Sequence, residues 1–292
     1  CICYFPVRGG YATHYWSPEG DHFKSREEIQ QHVEKLQRSL KHFLPRDWHM
    51  LPPEALAALR DEMLQTAVGR VLTPPGAVPF VRQQLLQLVA LMFKRDWLSG
   101  AGDAPERLLS QATQLLEAAE SAPQALGLQL LLAALNEFSF TRLTAVGMTW
   151  EFHLQARYAF QQSSLPRFFR ITVDWLRAWE ARSGEEGEGA AAALEMASVV
   201  LHWNFQSKEA AAAAPTAGSV WATEQAAKDE SLSPPASWRP ALTGEGGIAL
   251  LSVLFGGATR WRENPHLSRH YREALLGLAR LDGGPTELWE DS

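Results

Sequence analysis

The chain of 292 residues contains only two cysteines, Cys1 and Cys3. Both lie at its start, where a disulfide between them would brace no other part of the fold. No second cysteine pair follows to complete a zinc site with this C-x-C. We therefore expect a protein of a reducing, intracellular compartment that is held together by its apolar core.

An excess of positive charge is also absent, because the formal net charge is −6 and the pI is near 5.9. Binding to nucleic acid in general requires a basic face that displaces counterions from the phosphates. No apolar run approaches the ~18 to 20 residues of a membrane helix. We expect neither direct nucleic-acid binding nor membrane insertion.

Motifs of common enzyme classes are missing, including the phosphate-binding, dinucleotide-binding and nucleophile-elbow patterns. Glu151, Phe152 and His153 are the remaining candidates for acid–base chemistry, but a single histidine beside phenylalanine on a helix is more often a packing or capping residue. Five histidines cluster near the start without metal-ligand spacing: His14, His22, His32, His42 and His49. We expect no enzyme activity, no metal site and no cofactor.

What the sequence does contain is apolar residues at helical spacing, with 46% of the chain hydrophobic. Residues 81–98 are predicted to form a helix with two apolar faces, and such a helix needs neighbours on both sides. The same character returns at 126–140 and 194–205, which favours a layered array of helices. The first stripe is Val81, Leu85, Leu88, Val89 and Met92, and the second is Leu86, Phe93 and Trp97.

Capping residues, prolines and glycines divide the chain into about ten predicted helices. Ser25 with Glu28 forms a capping box, and Trp203, Phe205 and Trp238 are expected to be core anchors. The chain begins with Cys rather than Met, so we expect a fragment. The predicted helices span residues 25–43, 54–72, 78–98, 105–120, 123–140, 150–161, 166–182, 190–205, 248–261 and 268–281.

The fold class predicted from this pattern is all-α, an α-solenoid of HEAT-like antiparallel helical hairpins. Starting from Val78, Pro123 and Pro166, the predicted pairs begin 45 and 43 residues apart, within the HEAT or armadillo period of about 40 to 47. The predicted divisions are an irregular segment at 1–23, the solenoid at 24–282 with a flexible Ala-, Ser- and Pro-rich loop at 206–236, and a tail at 283–292.

Several segments occur in an order and spacing that resemble the exportins of the importin-β superfamily of nuclear transport receptors. The resemblance covers roughly residues 44–281 and includes EFH at Glu151 to His153 and SWR at Ser237 to Arg239. Residues 1–43 do not resemble the opening repeat of that family. The matching segments are VRQQLLQLVALMFKRDWL, LLLAALNEFSF, MTWEFHLQARYAFQQSSLPRFFRITVDWLRAW, LEMASVVLHWNF and PPASWRPAL.

The resemblance implies a receptor that binds the GTP form of the GTPase Ran and touches the Phe-Gly repeats of nucleoporins. It would carry protein cargo between nucleus and cytoplasm, mainly outward. Cargo in the family includes a hypusine-bearing translation factor and Smad-type regulators. The residues expected to contact Ran are Lys94, Arg95, Asp96, Asn136 and Glu137.

Three alternatives remain open at this point. Lys94 and Arg95 would also complement the C-terminal dipole of their own helix without any partner. The same periodicity would suit a HEAT scaffold that binds proteins independently of Ran, whereas a deep acidic or metal-lined cavity would indicate an all-α enzyme. If Lys94 and Arg95 contact Ran, reversing both charges should weaken its binding without unfolding the chain.

Overall fold

A computed structural model shows the protein as two compact units. The predicted helix at 25–43 and the predicted tail at 283–292 lie outside the described residues. Nearly all of the predicted loop at 206–236 lies outside them as well. The first unit comprises Cys1–Leu86 and Leu143–Met148, and the second comprises Gln87–Arg142 and Thr149–Ser292. The described residues are 2–7, 10–16, 22–23, 50–72, 79–98, 104–139, 148–181, 188–205, 234, 238, 241–242, 244–260 and 264–280.

The first unit contains a three-stranded antiparallel sheet in the order β1-β2-β3, formed by β1 (Ile2–Val7), β2 (Gly10–Trp16) and β3 (His22–Phe23). In its register Ile2 lies opposite Tyr15 and Val7 opposite Gly10. The sequence predicted irregular structure at 1–23, so the structure differs here. Each strand is too short to set up a long period, but aromatic and β-branched residues favour strands once a partner supplies the hydrogen bonds.

Helix α1 (Pro53–Leu72) of the first unit confirms the helix predicted at 54–72. Its buried residues recur at helical spacing, as expected for a helix with one inward face: Leu56, Arg60, Met63 and Leu64.

Eight more helices follow, and each corresponds to a predicted one with its ends shifted by a few residues. Their bounds are α2 (Pro79–Asp96), α3 (Ala104–Leu116), α4 (Ser121–Ser139), α5 (Trp150–Ser163), α6 (Leu165–Ala181), α7 (Glu188–Leu201), α8 (Glu245–Arg260) and α9 (Pro265–Ala279). From residue 50 onward the regular elements of the described residues are therefore helices, as predicted.

Helix α2 is buried on more than one face, as its two predicted apolar stripes led us to expect. Every residue from position 88 to position 94 is buried. Because seven consecutive positions cover all directions around a helix, this part of α2 is enclosed on all sides. Helix α4 is buried over one broad face, with the adjacent Leu130 and Leu131 and the adjacent Ala134 and Leu135 all buried.

The described residues of the second unit include three helical hairpins, α3/α4, α6/α7 and α8/α9. The second helices of successive hairpins are neighbours, because α7 packs against both α4 and α9. Among the first helices, α6 packs against α8, and Arg167 of α6 pairs with Glu106 of α3, Nη1 to Oε1, at 2.6 Å. Like helices thus lie beside like helices.

The predicted grouping of the helices into pairs differs from the observed contacts in one respect. The sequence placed the helices starting near Pro123 and Pro166 in equivalent positions, but α4 is the second helix of its hairpin and α6 is the first helix of the next. The reason is α5, an additional helix that contacts both α4 and α6. Spacing along the sequence cannot distinguish an inserted helix from half of a regular repeat.

Four aromatic rings from other helical segments surround Phe160 of α5 in the second unit. Phe160 stacks on Phe138 of α4 at 4.3 Å between ring centroids and lies 5.0 Å from Phe168 of α6. Trp97, which follows α2, lies 5.4 Å away, and Trp203, which follows α7, lies 5.7 Å away. Trp203 and Trp238 are buried, which confirms their expected role as core anchors.

We predict that Phe160→Ala lowers the free energy of unfolding by about 3–5 kcal/mol, because it removes a large buried side chain and leaves a cavity. Phe255→Ala is the matched control, since Phe255 is 66% exposed and its loss should cost less than about 0.5 kcal/mol. Urea denaturation of the full chain measures both. Equal destabilisation by the two substitutions would contradict the central position of Phe160.

Candidate functional site

Lys94 lies at the end of α2 with only 1% of its side chain exposed. Its Nζ donates to the backbone carbonyl oxygen of Glu137 at 2.6 Å and lies 3.3 Å from the carboxylate Oε1 of the same residue. The ammonium group also lies 5.7 Å from the centroid of the Phe138 ring. A residue expected to face a partner is therefore enclosed.

The contact with Glu137 explains why a lysine is tolerated inside. Glu137 is in the last turn of α4, where backbone carbonyl groups lack partners within the helix and carry its negative end. Lys94 supplies both a donor and a positive charge at that point. The lysine thus complements the dipole of α4, the neighbouring helix, rather than that of its own helix.

Three polar residues follow one face of α5 at four-residue spacing, and all three are buried. His153, Arg157 and Gln161 are 1%, 6% and 1% exposed. Arg157 donates from Nη2 to the backbone oxygen of Asn204 at 2.8 Å and lies 5.0 Å from the Trp203 ring. Gln161 accepts a hydrogen bond from Nε1 of Trp203 at 3.3 Å.

His153 differs from its neighbours on α5, because within the described part of the chain neither of its ring nitrogens has a hydrogen-bond partner. Nε of Arg157 also lacks an acceptor there. Buried polar groups normally have partners, so each exception calls for a physical explanation.

Burial lowers the pKa values of His153, Arg157 and Lys94. It lowers the pKa of His153 to about 4, and the nearby positive charge of Lys94 adds to this effect. Burial likewise lowers the pKa of Arg157 to about 10. For Lys94 burial also lowers the pKa, with Arg157 acting in the same direction and Glu137 opposing it. His153 is therefore neutral at neutral pH.

Two of the five residues expected to contact Ran lie against each other. The structure brings Lys94 and Glu137 into direct contact. Arg95, Asp96 and Asn136 are half-buried and keep some surface available. Whether any of them contacts Ran remains a prediction.

The burial of Lys94 corrects one expectation about its substitution. Reversing its charge would place a second carboxylate beside Glu137 in an enclosed site, and burying an unpaired charge is strongly destabilising. The burial of Lys94 therefore argues against the expectation that Lys94 and Arg95 can be reversed together without unfolding the chain. Arg95, which is half-buried, is the better probe of the surface.

Sequence reasoning missed Arg157 and Gln161. Their signal is the spacing of His153, Arg157 and Gln161, which places three polar residues on one helical face. That face also carries Leu154 and Phe160, which are buried. Glu151, by contrast, is exposed on the first turn of α5, so it does not belong to the same buried group as His153.

A second surface feature is a groove of about 430 Å³ along α3, bordered by Arg167 of α6. Its lining is mostly polar, and the ion pair between Arg167 and Glu106 is part of it. The remaining lining residues are Leu109, Ser110, Thr113, Gln114 and Glu117.

No protein-family model matches the chain. Among the described residues, no three histidine, cysteine or acidic side chains are grouped so as to hold a metal ion. In the same part of the chain, no helix combines the length and apolarity needed to cross a lipid bilayer.

We predict that acidification destabilises the protein in part through His153. Its folded-state pKa of about 4 lies below the ordinary histidine value of 6.5, so the unfolded chain binds the proton more readily between these values. The stability linked to this residue is therefore complete above about pH 6.5 and is lost as the pH falls toward 4.

His153→Phe removes this contribution while filling the same space. We expect the free energy of unfolding to fall less between pH 7 and pH 4.5 in the variant than in the wild type. Denaturant unfolding at a series of pH values measures the difference. Parallel pH profiles for the two proteins would show that His153 is not buried in its neutral form.

Proposed function

We propose that the chain is a HEAT-type α-solenoid and acts as a nuclear transport receptor of the importin-β superfamily, similar to exportin-4. In this proposal it binds Ran in its GTP form and protein cargo. The observation that carries the proposal is the succession of hairpins α3/α4, α6/α7 and α8/α9, in which like helices lie side by side. The sequence resemblance supplies the link to Ran.

The hairpin arrangement supports binding to a folded protein more than binding to a small molecule. Stacked hairpins present long surfaces built from equivalent helices, and such surfaces suit large partners. The groove beside α3 is polar and lies at the surface, unlike the mostly apolar, enclosed pockets that take small ligands. Ran would act by favouring one arrangement of the hairpins over another.

Two short sequence segments bear on which exportin the chain resembles more. The SWR segment resembles exportin-7 as well, whereas EFH at Glu151 to His153 favours exportin-4. Trp238 of the SWR segment is buried and lies 5.2 Å from Phe205 and 5.9 Å from Phe169, measured between ring centroids. Such an anchor explains why this segment is part of the pattern.

The remaining partners follow from the same proposal. Phe-Gly repeats of nucleoporins would insert between neighbouring first helices of the hairpins, and the protein would shuttle between nucleus and cytoplasm. Cargo would be a folded protein, with a hypusine-bearing translation factor and Smad-type regulators as the first to test. A scaffold that binds proteins without Ran is the alternative.

The proposal predicts that the full chain retains Ran loaded with a non-hydrolysable GTP analogue in a pull-down and does not retain Ran loaded with GDP. Protein stability should be checked first by circular dichroism. Equal or absent binding of the two nucleotide forms by the folded chain would favour the scaffold.

Arg95→Glu should weaken binding of GTP-loaded Ran about tenfold or more, since reversing a charge at an interface places like charges together. Arg177→Glu is the matched control, because Arg177 is an exposed arginine on α6. Titration calorimetry with each variant gives the affinities. The same affinity for both variants would remove Arg95 from the contact surface.

A further inference from the structure

Side chains from α2 and α5 form a cluster of buried nitrogen donors near the C-terminal end of α4, consisting of the charged Lys94 and Arg157 and the neutral His153. The aromatic contacts hold these positions together: Trp97 lies 4.7 Å from Phe138 and 5.4 Å from Phe160, measured between ring centroids. Trp97 is one turn from Lys94, Phe138 is next to Glu137, and Phe160 is one turn from Arg157. The electrostatic influence of Lys94 on His153 and of Arg157 on Lys94 is consistent with this proximity.

The cluster offers more hydrogen-bond donors than the described residues accept. A lysine ammonium group has three donors, a neutral histidine has one, and an arginine has one at Nε. Lys94 is bonded to the backbone oxygen and a carboxylate oxygen of Glu137. His153 and Nε of Arg157 have no partner in the described part of the chain.

The positive charges of the cluster also outnumber the carboxylates that contact it among the described residues. Lys94 and Arg157 are both buried, and the carboxylate that contacts this cluster among the described residues is that of Glu137. Two buried positive charges with one carboxylate leave an electrostatic cost that a second negative group would offset. A water molecule would accept hydrogen bonds but would leave the charge unbalanced.

We propose that Lys94, His153 and Arg157 form a binding site for a small oxyanion, such as a phosphate or carboxylate group. The oxyanion accepts hydrogen bonds from His153 and from Nε of Arg157 and balances the charge of Lys94. The oxyanion reaches the site past Glu137, because the Glu137 side chain is 19% exposed whereas that of Lys94 is 1% exposed. The site does not depend on Ran binding.

The test is a thermal unfolding series of the full chain at pH 7 with increasing inorganic phosphate, and a second series with acetate, at ionic strength held constant with sodium chloride. A ligand that binds the folded state raises Tm by roughly 3–6 °C for each tenfold increase above its Kd in a protein of this size class. Phosphate also stabilises proteins in general by exclusion from their surface. The informative quantity is therefore the difference between variants.

His153→Phe should reduce the response, because it removes a donor while keeping the site filled. Glu137→Gln should enlarge it, because it removes the carboxylate that competes for Lys94. Arg177→Gln, which changes an exposed arginine on α6, should respond as the wild type does. A response to phosphate, to acetate or to both that differs between the variants in this way supports the site and identifies the group it takes.

The same Tm response in wild type, His153→Phe and Glu137→Gln would overturn the proposal, since it would reflect only general salt effects. If His153→Phe fails to fold, Glu137→Gln alone still decides between the two results. The Tm series contains no Ran, so its result does not depend on whether Ran binding is selective for GTP. Failure of the receptor proposal and failure of the anion site can therefore be distinguished.

Discussion

The arrangement around the end of α4 depends on how the charge of Lys94 is accommodated inside the protein. An ammonium group that loses its water must find acceptors, or its burial costs several kcal/mol. Here the backbone oxygen of Glu137 lies 2.6 Å from Nζ. The contact fixes the end of α2 against the end of α4, and the aromatic cluster around Phe160 then packs beside it.

Helix α5 carries both parts of this centre. One face presents Phe160 to the rings of three other helical segments, and nearby positions present His153, Arg157 and Gln161. The polar residues are anchored at one end, where Arg157 and Gln161 bond to Asn204 and Trp203. At the other end His153 has no partner among the described residues, which places the unsatisfied donors close to Lys94.

Much of the helical structure could be predicted because it depends on local pattern. Apolar spacing, prolines and glycines located the nine helices that the described residues form between 53 and 279, and the two-sided character of α2 correctly indicated neighbours all around it. The role of α5 could not be predicted, because an inserted helix has the same local pattern as a repeat helix. The strands at 2–23 were missed because pairing between short segments, rather than their own period, stabilises them.

The site was predicted less well than the helices, for a physical reason. Lysine and arginine at a helix end usually remain in water, so sequence gives no warning that Lys94 turns inward toward a carbonyl group on another helix. The acceptor lies 43 positions away along the chain, and only the packing of α2 and α4 brings it close. The proximity of Lys94 and Glu137 was expected as part of one surface, but the structure shows a buried ion pair instead.

Hydrogen–deuterium exchange of the full chain with Ran in its two nucleotide forms tests the receptor proposal and the location of its surface together. The expected result is added protection at the C-terminal ends of α2 and α4 with GTP-loaded Ran and none there with GDP-loaded Ran. Exchange that is the same with both forms and without Ran would contradict the proposed function.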